Sequence, residues 1–428
     1  MIRRVLILTF TFCFLTSCAP APNNPTTANV NTAPPAPTAP SPAASPQTSA
    51  QITLPVLNAL LTDESFVNDL KSRLKLTNEQ IDSLKRVSNE EIARLKEANA
   101  EELDNSSGNA REHASEQLNQ IVGDQKAKEL TSFANEYWSK GDTTEATPSG
   151  PTMLPGPNAV PTDTRVVVNI PAYRMDLFQD GSLVKSYKVG IGYPQFPLPQ
   201  GLRKASTIIF NPTWTPPDEP WVAKMKNITP GETVEAGSKL NPLGPIKIPI
   251  GLPSLIHGGK SPAKIGKFAS HGCVGLTNNQ VKDFALLLSK ASGTALSDTT
   301  LTSYLQQKEE TKSVKLKEAV PVELRYETIV LEDGKLHIYK DVYAQDTNTE
   351  ENVRKVLEAQ GARLEDLSEQ QRAEIRDALS GKKKPAKGET GVVIEVTALS
   401  GKGYPVPVNL DNGSGKPSTR KSTKNTSH

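Results

Sequence analysis

The chain has few cysteines, few aromatic residues and almost no excess of charge of either sign. Among its 428 residues there are three cysteines, 5% are Phe, Trp or Tyr, and 49 basic residues against 47 acidic ones give a net charge of +2. A nucleic-acid-binding protein that depends on net charge is therefore not expected. No apolar run reaches the roughly 18 residues that span a bilayer, so the sequence excludes a polytopic membrane protein.

The three cysteines lie in different chemical settings. A short basic start, an apolar stretch and the string Leu15-Thr16-Ser17-Cys18 make up the N-terminus. This pattern resembles the lipobox of bacterial lipoproteins, in which the cysteine receives a lipid and becomes the first residue after cleavage. Residues 1–18 are therefore predicted to be a lipoprotein signal peptide lipidated at Cys18, with a plain secretory signal as the alternative. Cys13 lies in the part removed, which leaves Cys273 as the only free thiol of an exported protein.

The lipobox resemblance also implies a location. A lipid on Cys18 anchors the protein to a membrane, facing the periplasm or the cell wall. Ala19 rather than Asp follows the cysteine. In a host with two membranes, lipoproteins of this kind are usually sent to the outer one.

Composition and hydrophobic period divide the rest of the chain. Residues 19–55 carry no charge and are rich in Pro, Ala and Thr, which predicts a disordered linker. Residues 56–140 are charged and have apolar residues at helical spacing, with a capping box at Thr77 to Gln80. They predict a helical region with a spacer or interaction role. A second linker is expected over 141–162.

From residue 163 apolar residues recur at every second position, as in β-strands, which predicts a mostly-β domain over 163–290. The chain as a whole is predicted to be an α+β, multidomain protein. Strands are expected over 166–170, 174–178 and 182–190, the last two joined by a hairpin turn at Asp180-Gly181. The remaining segments are assigned as follows: a helix at 279–288, a β-hairpin extension over 291–345 with its turn at 332–334, a helical segment over 346–380, and a basic, largely disordered tail over 381–428.

The residues with chemical potential are concentrated in one segment. Ile256-His257-Gly258-Gly259 is followed, after a short loop, by Ser270-His271-Gly272-Cys273. A thiolate is a nucleophile, and a nearby imidazole can accept its proton. A turn through Gly272 and Cys273 is expected to direct backbone amides toward a developing oxyanion. This combination predicts acyl transfer through a thioester.

Two other interpretations remain open at this point. His257, His271 and Cys273 are also zinc-ligand types, and three ligands plus water make a catalytic zinc site. No fourth ligand recurs nearby, and the H-E-x-x-H spacing of metallopeptidases is absent from the sequence. In the other interpretation, the two histidines and the cysteine are simply buried structural residues.

The segment resembles the L,D-transpeptidase signature of the YkuD domain, a first histidine followed by Ser or Thr, His, Gly and Cys. Flanking strings also agree: Val189-Gly190-Ile191-Gly192, the Pro-x-Pro-x-Gly turn at 197–201, and the Asn-Pro strings at 211–217 and 241–244. The resemblance implies a mostly-β, sandwich-like fold with Cys273 as nucleophile and His257 as general base. It implies a supporting role for His271, Ser270 and Gly272, and no metal or other cofactor.

The resemblance also implies a substrate. Enzymes of this family attack peptidoglycan stem peptides, release the terminal D-alanine and pass the acyl group to an amine on a second stem or on a protein. Water as acceptor makes an L,D-carboxypeptidase instead. The partners implied are stem peptides, a membrane through Cys18, an acceptor protein of unknown identity, and no nucleic acid.

One position departs from the family pattern. Members usually carry Arg or Asn two residues after the cysteine, where this chain has Gly275. The departure leaves open a non-catalytic, wall-binding lipoprotein with the same fold. Two expectations follow for this glycine, a backbone with positive φ or a neighbour that fills the vacant space. Gly258, Gly259 and Lys260 are candidates for substrate binding, Lys260 by offering positive charge to a carboxylate. A solvated basic loop is the alternative for this lysine.

Overall fold

The computed structural model describes residues 52–97, 106–140, 152–217, 222, 225–251 and 253–414. The predicted signal peptide with Cys18, most of the first linker and the last 14 residues of the predicted tail lie outside these described residues. Within them, no helix is both long enough and apolar enough to cross a membrane.

The elements are given in chain order. The α-helices are α1 (Leu54–Leu60), α2 (Glu64–Arg73), α3 (Asn78–Glu97), α4 (Ser106–Val122), α5 (Asp124–Lys140), α6 (Asn278–Ala291), α7 (Asp298–Gln306), α8 (Glu350–Glu358) and α9 (Glu369–Leu379). The strands are β1 (Arg165–Asn169), β2 (Arg174–Gln179), β3 (Ser182–Lys188), β4 (Ile191–Gly192), β5 (Gly201–Phe210), β6 (Ile246–Pro249), β7 (Leu255–His257), β8 (Phe268–Ser270), β9 (Val274–Gly275), β10 (Lys312–Arg325), β11 (Ile329–Glu332), β12 (Lys335–Tyr339) and β13 (Gly391–Glu395). Short 3-10 turns lie at Pro262–Lys264, Leu364–Asp366 and Thr397–Leu399.

Helices α1 to α5 pack around an apolar core of their own. The predicted capping box is present at the start of α3, where the amide of Gln80 donates to Thr77 Oγ1 (3.2 Å) and the amide of Thr77 donates to Gln80 Oε1 (3.1 Å). The linker boundary predicted at residue 55 is wrong. Helix α1 starts at Leu54 behind the N-cap Thr53, because the apolar residues from Ile52 onward are buried and the proline after Leu54 suits a first helical turn.

An eight-stranded sheet forms the centre of the molecule, in the order β3-β2-β1-β10-β5-β6-β7-β9. Most neighbours are antiparallel, but β1 pairs with β10 and β7 with β9 in parallel. The short parallel pair β4 and β8 joins the sheet's end through reciprocal backbone bonds between Gly190 and Gly275. Helix α6 packs its apolar residues Val281, Phe284 and Leu288 into the same core. A mostly-β sheet preceded by helices confirms the predicted fold class.

The hairpin predicted over 291–345 is correct only in part. Its turn is present between β11 and β12, but the preceding residues form helix α7 and the long strand β10. β10 lies inside the large sheet between β1 and β5, so the sheet continues past the predicted domain end at residue 290. β10 was not recognisable as a central strand because its first half alternates with exposed charged residues.

The predicted helical segment is present as α8 and α9, which pack on the three-stranded sheet β11-β12-β13. Strand β13 corrects the prediction that the tail over 381–428 is largely disordered, since it lies inside that range. Val392 and Ile394 are buried against this sheet. Further along, Asp411 lies beside the edge strand β3, where its amide donates to the carbonyl of Ser186 (2.9 Å). These ordered pieces are too short to change the polar, basic composition of the tail, which is why the sequence does not predict them.

The second predicted linker, 141–162, is also ordered over its described part, from residue 152 onward. Asn158 is 2% exposed and has a positive φ of 53°. Its side-chain amide donates to the carbonyl of Ile329 (3.0 Å), and its Oδ1 accepts from the amide of Leu331 (2.8 Å). These bonds fasten the segment to strand β11.

Candidate active site

Cys273 lies in a tight connection between strands β8 and β9. Gly272 has a φ of 92°, a left-handed conformation that favours glycine. Ser270 Oγ accepts a hydrogen bond from the Cys273 amide (3.0 Å) and donates one to the Cys273 carbonyl (2.5 Å). Ser254, which the sequence did not identify, donates its hydroxyl proton to the carbonyl of Gly272 (2.8 Å). Ser270 and Gly272 therefore fix the backbone that carries the thiol.

This arrangement corrects one detail of the predicted oxyanion site. The sequence predicts that the turn through Gly272 and Cys273 directs its backbone amides toward a developing oxyanion, but one of these amides, that of Cys273, is engaged elsewhere. That amide donates to Ser270 Oγ instead. A hydroxyl three residues upstream competes for the amide because Ser side chains readily bond neighbouring backbone groups.

His257 ends strand β7, next to the cysteine-bearing connection. In the parallel pair of β7 and β9, His257 is opposite Gly275, and the Leu276 amide donates to the His257 carbonyl (2.8 Å). Cys273 directly precedes strand β9, two residues before Gly275. The Cys273 thiol receives a hydrogen bond from the backbone of Leu255, which is two residues before His257 in strand β7. The structure thus brings the predicted nucleophile and base to one edge of the sheet.

The tautomer of His257 follows from its hydrogen bond. Its Nδ1 contacts the carbonyl of Gly258 at 2.7 Å. A carbonyl can only accept, so Nδ1 carries the proton and the lone pair of the neutral ring is on Nε2. Burial, together with the positive charge of Lys260, lowers the pKa of His257 to about 3, although the carbonyls of Gly258 and Leu243 act in the opposite direction. At neutral pH the ring is therefore uncharged and able to accept a proton.

His271 is in a different environment, between aromatic rings. The ring of Phe196 meets it edge-on at 4.7 Å between centroids, and the ring of Tyr193 lies at 5.4 Å. Burial, with a smaller contribution from Lys260, lowers the pKa of His271 to about 4. The sequence did not identify Tyr193 and Phe196, although two aromatic residues inside a Pro/Gly-rich turn of an aromatic-poor chain are a usable signal.

The thiol of Cys273 is held mainly in its neutral form. Burial raises its pKa, whereas a hydrogen bond from the Leu255 backbone and the positive charge of Lys260 lower it. The site at rest therefore pairs a neutral thiol with neutral imidazoles rather than a thiolate with an imidazolium. Such a pair supports proton transfer to the base during nucleophilic attack.

Gly275 does not have the positive φ that was one of two expectations for it, since it lies in strand β9 with extended backbone. The other expectation is correct, because a neighbour fills the space. A Cβ at this position would lie 2.8 Å from both Cγ and Cε of Lys260. The aliphatic part of the Lys260 side chain therefore crosses directly over Gly275, held at its base by a bond from the Lys260 amide to the Leu276 carbonyl (3.1 Å).

Gly258 and Gly259 have packing roles in this structure. A Cβ on Gly258 would lie 2.8 Å from Val281 Cγ1, and one on Gly259 would lie 2.3 Å from the Pro242 carbonyl oxygen. The Gly259 amide donates to Asn278 Oδ1 (2.8 Å). Both glycines permit close contact with the Asn-Pro string and helix α6, which accounts for them without a ligand.

The zinc interpretation finds no support in the donor geometry. Across the described residues, no three His, Cys, Asp or Glu side chains are grouped closely enough to hold a metal ion.

Comparison with known proteins is consistent with this geometry. Residues 163–296 match the family model of the YkuD L,D-transpeptidase catalytic domain, which confirms the predicted resemblance over that part of the chain. No curated protein sequence matches the chain.

Several similar solved structures are described as L,D-transpeptidases. The one from Mycobacterium smegmatis shares 14% identity, with 38% of this chain and 58% of that chain covered and a TM-score of 0.24. The catalytic domain from E. faecium shares 16% identity, with 39% and 100% covered and a TM-score of 0.25. L,D-transpeptidase 3 from Mycobacterium tuberculosis shares 13% identity, with 38% and 60% covered and a TM-score of 0.22. The chain thus spans little more than half the length of the mycobacterial proteins.

Proposed function

We propose that the protein is a cysteine-dependent L,D-transpeptidase that acts on peptidoglycan stem peptides. The observation that carries the proposal is the placement of Cys273 beside strand β7, whose His257 has its tautomer fixed by the Gly258 carbonyl. This segment lies within the residues that match the L,D-transpeptidase catalytic domain.

The first half-reaction forms a thioester. The Cys273 sulfur attacks the carbonyl carbon at the L-centre of the third stem residue, usually diaminopimelate, while His257 Nε2 accepts the thiol proton. The C–N bond to the terminal D-alanine then breaks, and the imidazolium returns the proton to the leaving amine. His271, enclosed by Tyr193 and Phe196, supports the turn that carries the nucleophile.

The second half-reaction transfers the acyl group. An amine on another stem peptide, or on a protein, attacks the thioester carbon and forms a new amide bond, and the sulfur leaves and recovers a proton. With water as acceptor the product is a tripeptide stem, the L,D-carboxypeptidase outcome.

The experiment is D-alanine release from a purified tetrapeptide stem, with mass spectrometry of the remaining stem products. We expect the wild-type protein to release D-alanine and to form cross-linked stems when a second stem is present. Cys273→Ala is expected to abolish release while it keeps the thermal melting curve unchanged. Wild-type protein that releases none, or Cys273→Ala that releases it at the wild-type rate, contradicts the proposal and favours a non-catalytic wall-binding protein.

The proposal includes attachment to a membrane through a lipid on Cys18, with the catalytic domain exported and facing the wall. Labelled fatty acid is expected to mark the wild type and not Cys18→Ala, because the acceptor thiol is gone. Equal labelling of both proteins contradicts this part of the proposal. Membrane fractionation of a two-membrane host tests the outer-membrane destination.

A further inference from the structure

The side chain of Lys260 has no part in the two half-reactions. It is half-buried, and its ammonium forms no hydrogen bond or ion pair within the described residues. It interacts electrostatically with Cys273, His257 and His271. A Cys273 thiolate favours the charged form of Lys260, but burial keeps that thiol neutral at rest. The partly desolvated ammonium then has no opposite charge beside it, which is costly, so its position calls for an anion that the resting site does not supply.

Activation of the nucleophile does not explain this lysine. Its positive charge favours the Cys273 thiolate but disfavours the protonated form of His257. When a proton passes from the thiol to the imidazole, these two effects oppose each other. The charge of Lys260 therefore has no single direction of effect on the reactive pair, whereas it attracts an anionic group on the substrate.

Gly275 determines where this charge lies. The Lys260 side chain crosses the glycine so closely that any Cβ would meet its Cγ and Cε at 2.8 Å. The glycine backbone cannot move away, because its amide and carbonyl are both bonded to Gly190 (2.8 and 2.9 Å). A side chain at position 275 would therefore displace the Lys260 side chain from its present position.

We propose that Lys260 binds the carboxylate of the substrate's terminal D-residue and that Gly275 exists to let its side chain reach that place. The inference rests on the proposed function for the identity of the substrate. The carboxylate of the leaving amino acid is only three bonds from the carbonyl carbon that Cys273 attacks. A cation close to the thiol is therefore within reach of it. In most members of the family, Arg or Asn two residues after the cysteine supplies a charge or hydrogen-bond donor. Here Lys260, in the loop before the cysteine, supplies it instead.

The test compares a tetrapeptide stem that has a free terminal carboxylate with the same peptide as its terminal amide. Lys260→Met keeps the apolar stem over Gly275 and removes only the charge. A charge-assisted hydrogen bond is strong enough that we expect KM for the acid peptide to rise about ten-fold or more, with a smaller change in kcat. The amide peptide is expected to react equally poorly with wild type and variant.

Two further variants connect the effect to the geometry. Gly275→Ala is expected to displace the lysine and raise KM for the acid peptide as Lys260→Met does, and the double variant is expected to be no worse than either single one. Lys267→Met removes an exposed charge from the same loop and is expected to leave KM unchanged. Equal losses for acid and amide peptides, additive losses in the double variant, or an equal effect of Lys267→Met overturns the inference.

Binding of both peptides to Cys273→Ala protein gives a readout that needs no turnover. Tighter binding of the acid peptide, lost in Cys273→Ala/Lys260→Met, supports the inference even if the wild type releases no D-alanine and the proposed function fails. Equal binding of acid and amide overturns it even if the wild type is active.

Discussion

Buried charge is arranged in opposite ways at two places in this molecule. Between the large sheet and the β11-β12-β13 sheet, Arg174 Nε contacts Asp176 at 2.8 Å and its Nη1 contacts Glu332 at 2.6 Å. Although burial alone lowers the pKa of Arg174, these carboxylates together raise it. At the candidate active site, Lys260 has no such partner and burial lowers its pKa.

The difference distinguishes a structural cluster from the proposed functional site. In the first, every buried charge meets an opposite charge, so the network holds two sheets in one relative position. In the second, buried bases and a thiol surround a cation with no ion-pair partner among the described residues, and their pKa values move away from the ordinary range. Titratable groups with strongly shifted pKa values are typical of catalytic and ligand-binding sites.

The largest expected effect comes from breaking the paired cluster. Arg174→Met leaves Asp176 and Glu332 buried without their common cation, which costs about 3–5 kcal/mol for a buried pair. Denaturant unfolding gives the change in unfolding free energy. As a matched control, Arg86→Met removes a pair with Glu90 in which both side chains are about 60% exposed, and it is expected to cost less than about 1 kcal/mol. Similar costs for the two variants would contradict the comparison.

The next largest effect is the pH dependence of folding stability that arises from His257 in the candidate active site. Burial lowers the pKa of His257 to about 3 in the folded state, against 6.5 for an exposed histidine. Between these values the unfolded chain binds more protons than the folded one, so stability falls as pH drops from about 7 toward 4. Denaturation midpoints across that range are expected to fall less steeply for His257→Gln than for wild type. Parallel curves would show that His257 is not buried in its neutral form.

A smaller effect concerns the reactivity of the thiol. Burial holds the pKa of Cys273 above its ordinary value of 9.0. The rate of alkylation by iodoacetamide is therefore expected to be low at pH 7 and to reach its inflection only above pH 9.0. Lys260→Met removes a charge that favours the thiolate, so the inflection is expected to move to higher pH. Fast alkylation with an inflection below pH 7 would indicate a resting thiolate–imidazolium pair instead.

The smallest expected effect is on the unfolding free energy, which most substitutions of buried residues lower but which Lys260→Met is not expected to lower. Lys260→Met removes a half-buried ammonium that has no partner, so the unfolding free energy is expected to stay equal or to rise by up to roughly 1 kcal/mol. A thermal melt of the two proteins measures it. A clear loss of stability in Lys260→Met would mean that the lysine is a structural residue.

Local features of the fold could be predicted from the sequence. The turn at Asp180-Gly181 has positive φ at both residues (48° and 78°), and β2 and β3 flank it as expected. The helix predicted at 279–288 is present as part of α6. Both depend on residues a few positions apart, where turn chemistry and hydrophobic period act directly.

Features that depend on distant parts of the chain could not be predicted. Strand β10 pairs with β1 about 150 residues earlier, and nothing in its own charged sequence indicates a central position. The same holds within the site. The histidines and the thiol form a recognisable motif, but the passage of Lys260 over Gly275 follows from the pairing of β7 with β9 and has no local sequence signal.

The most direct test of the central claim is the intact mass of the protein during reaction with a tetrapeptide stem. A thioester on Cys273 predicts a covalent adduct with the mass of the stem after loss of D-alanine, mapped by digestion to the peptide that contains Cys273. The adduct is expected to disappear on addition of an amine acceptor and to be absent from Cys273→Ala. D-alanine released without any adduct, or an adduct that persists in Cys273→Ala, would contradict acyl transfer through this cysteine.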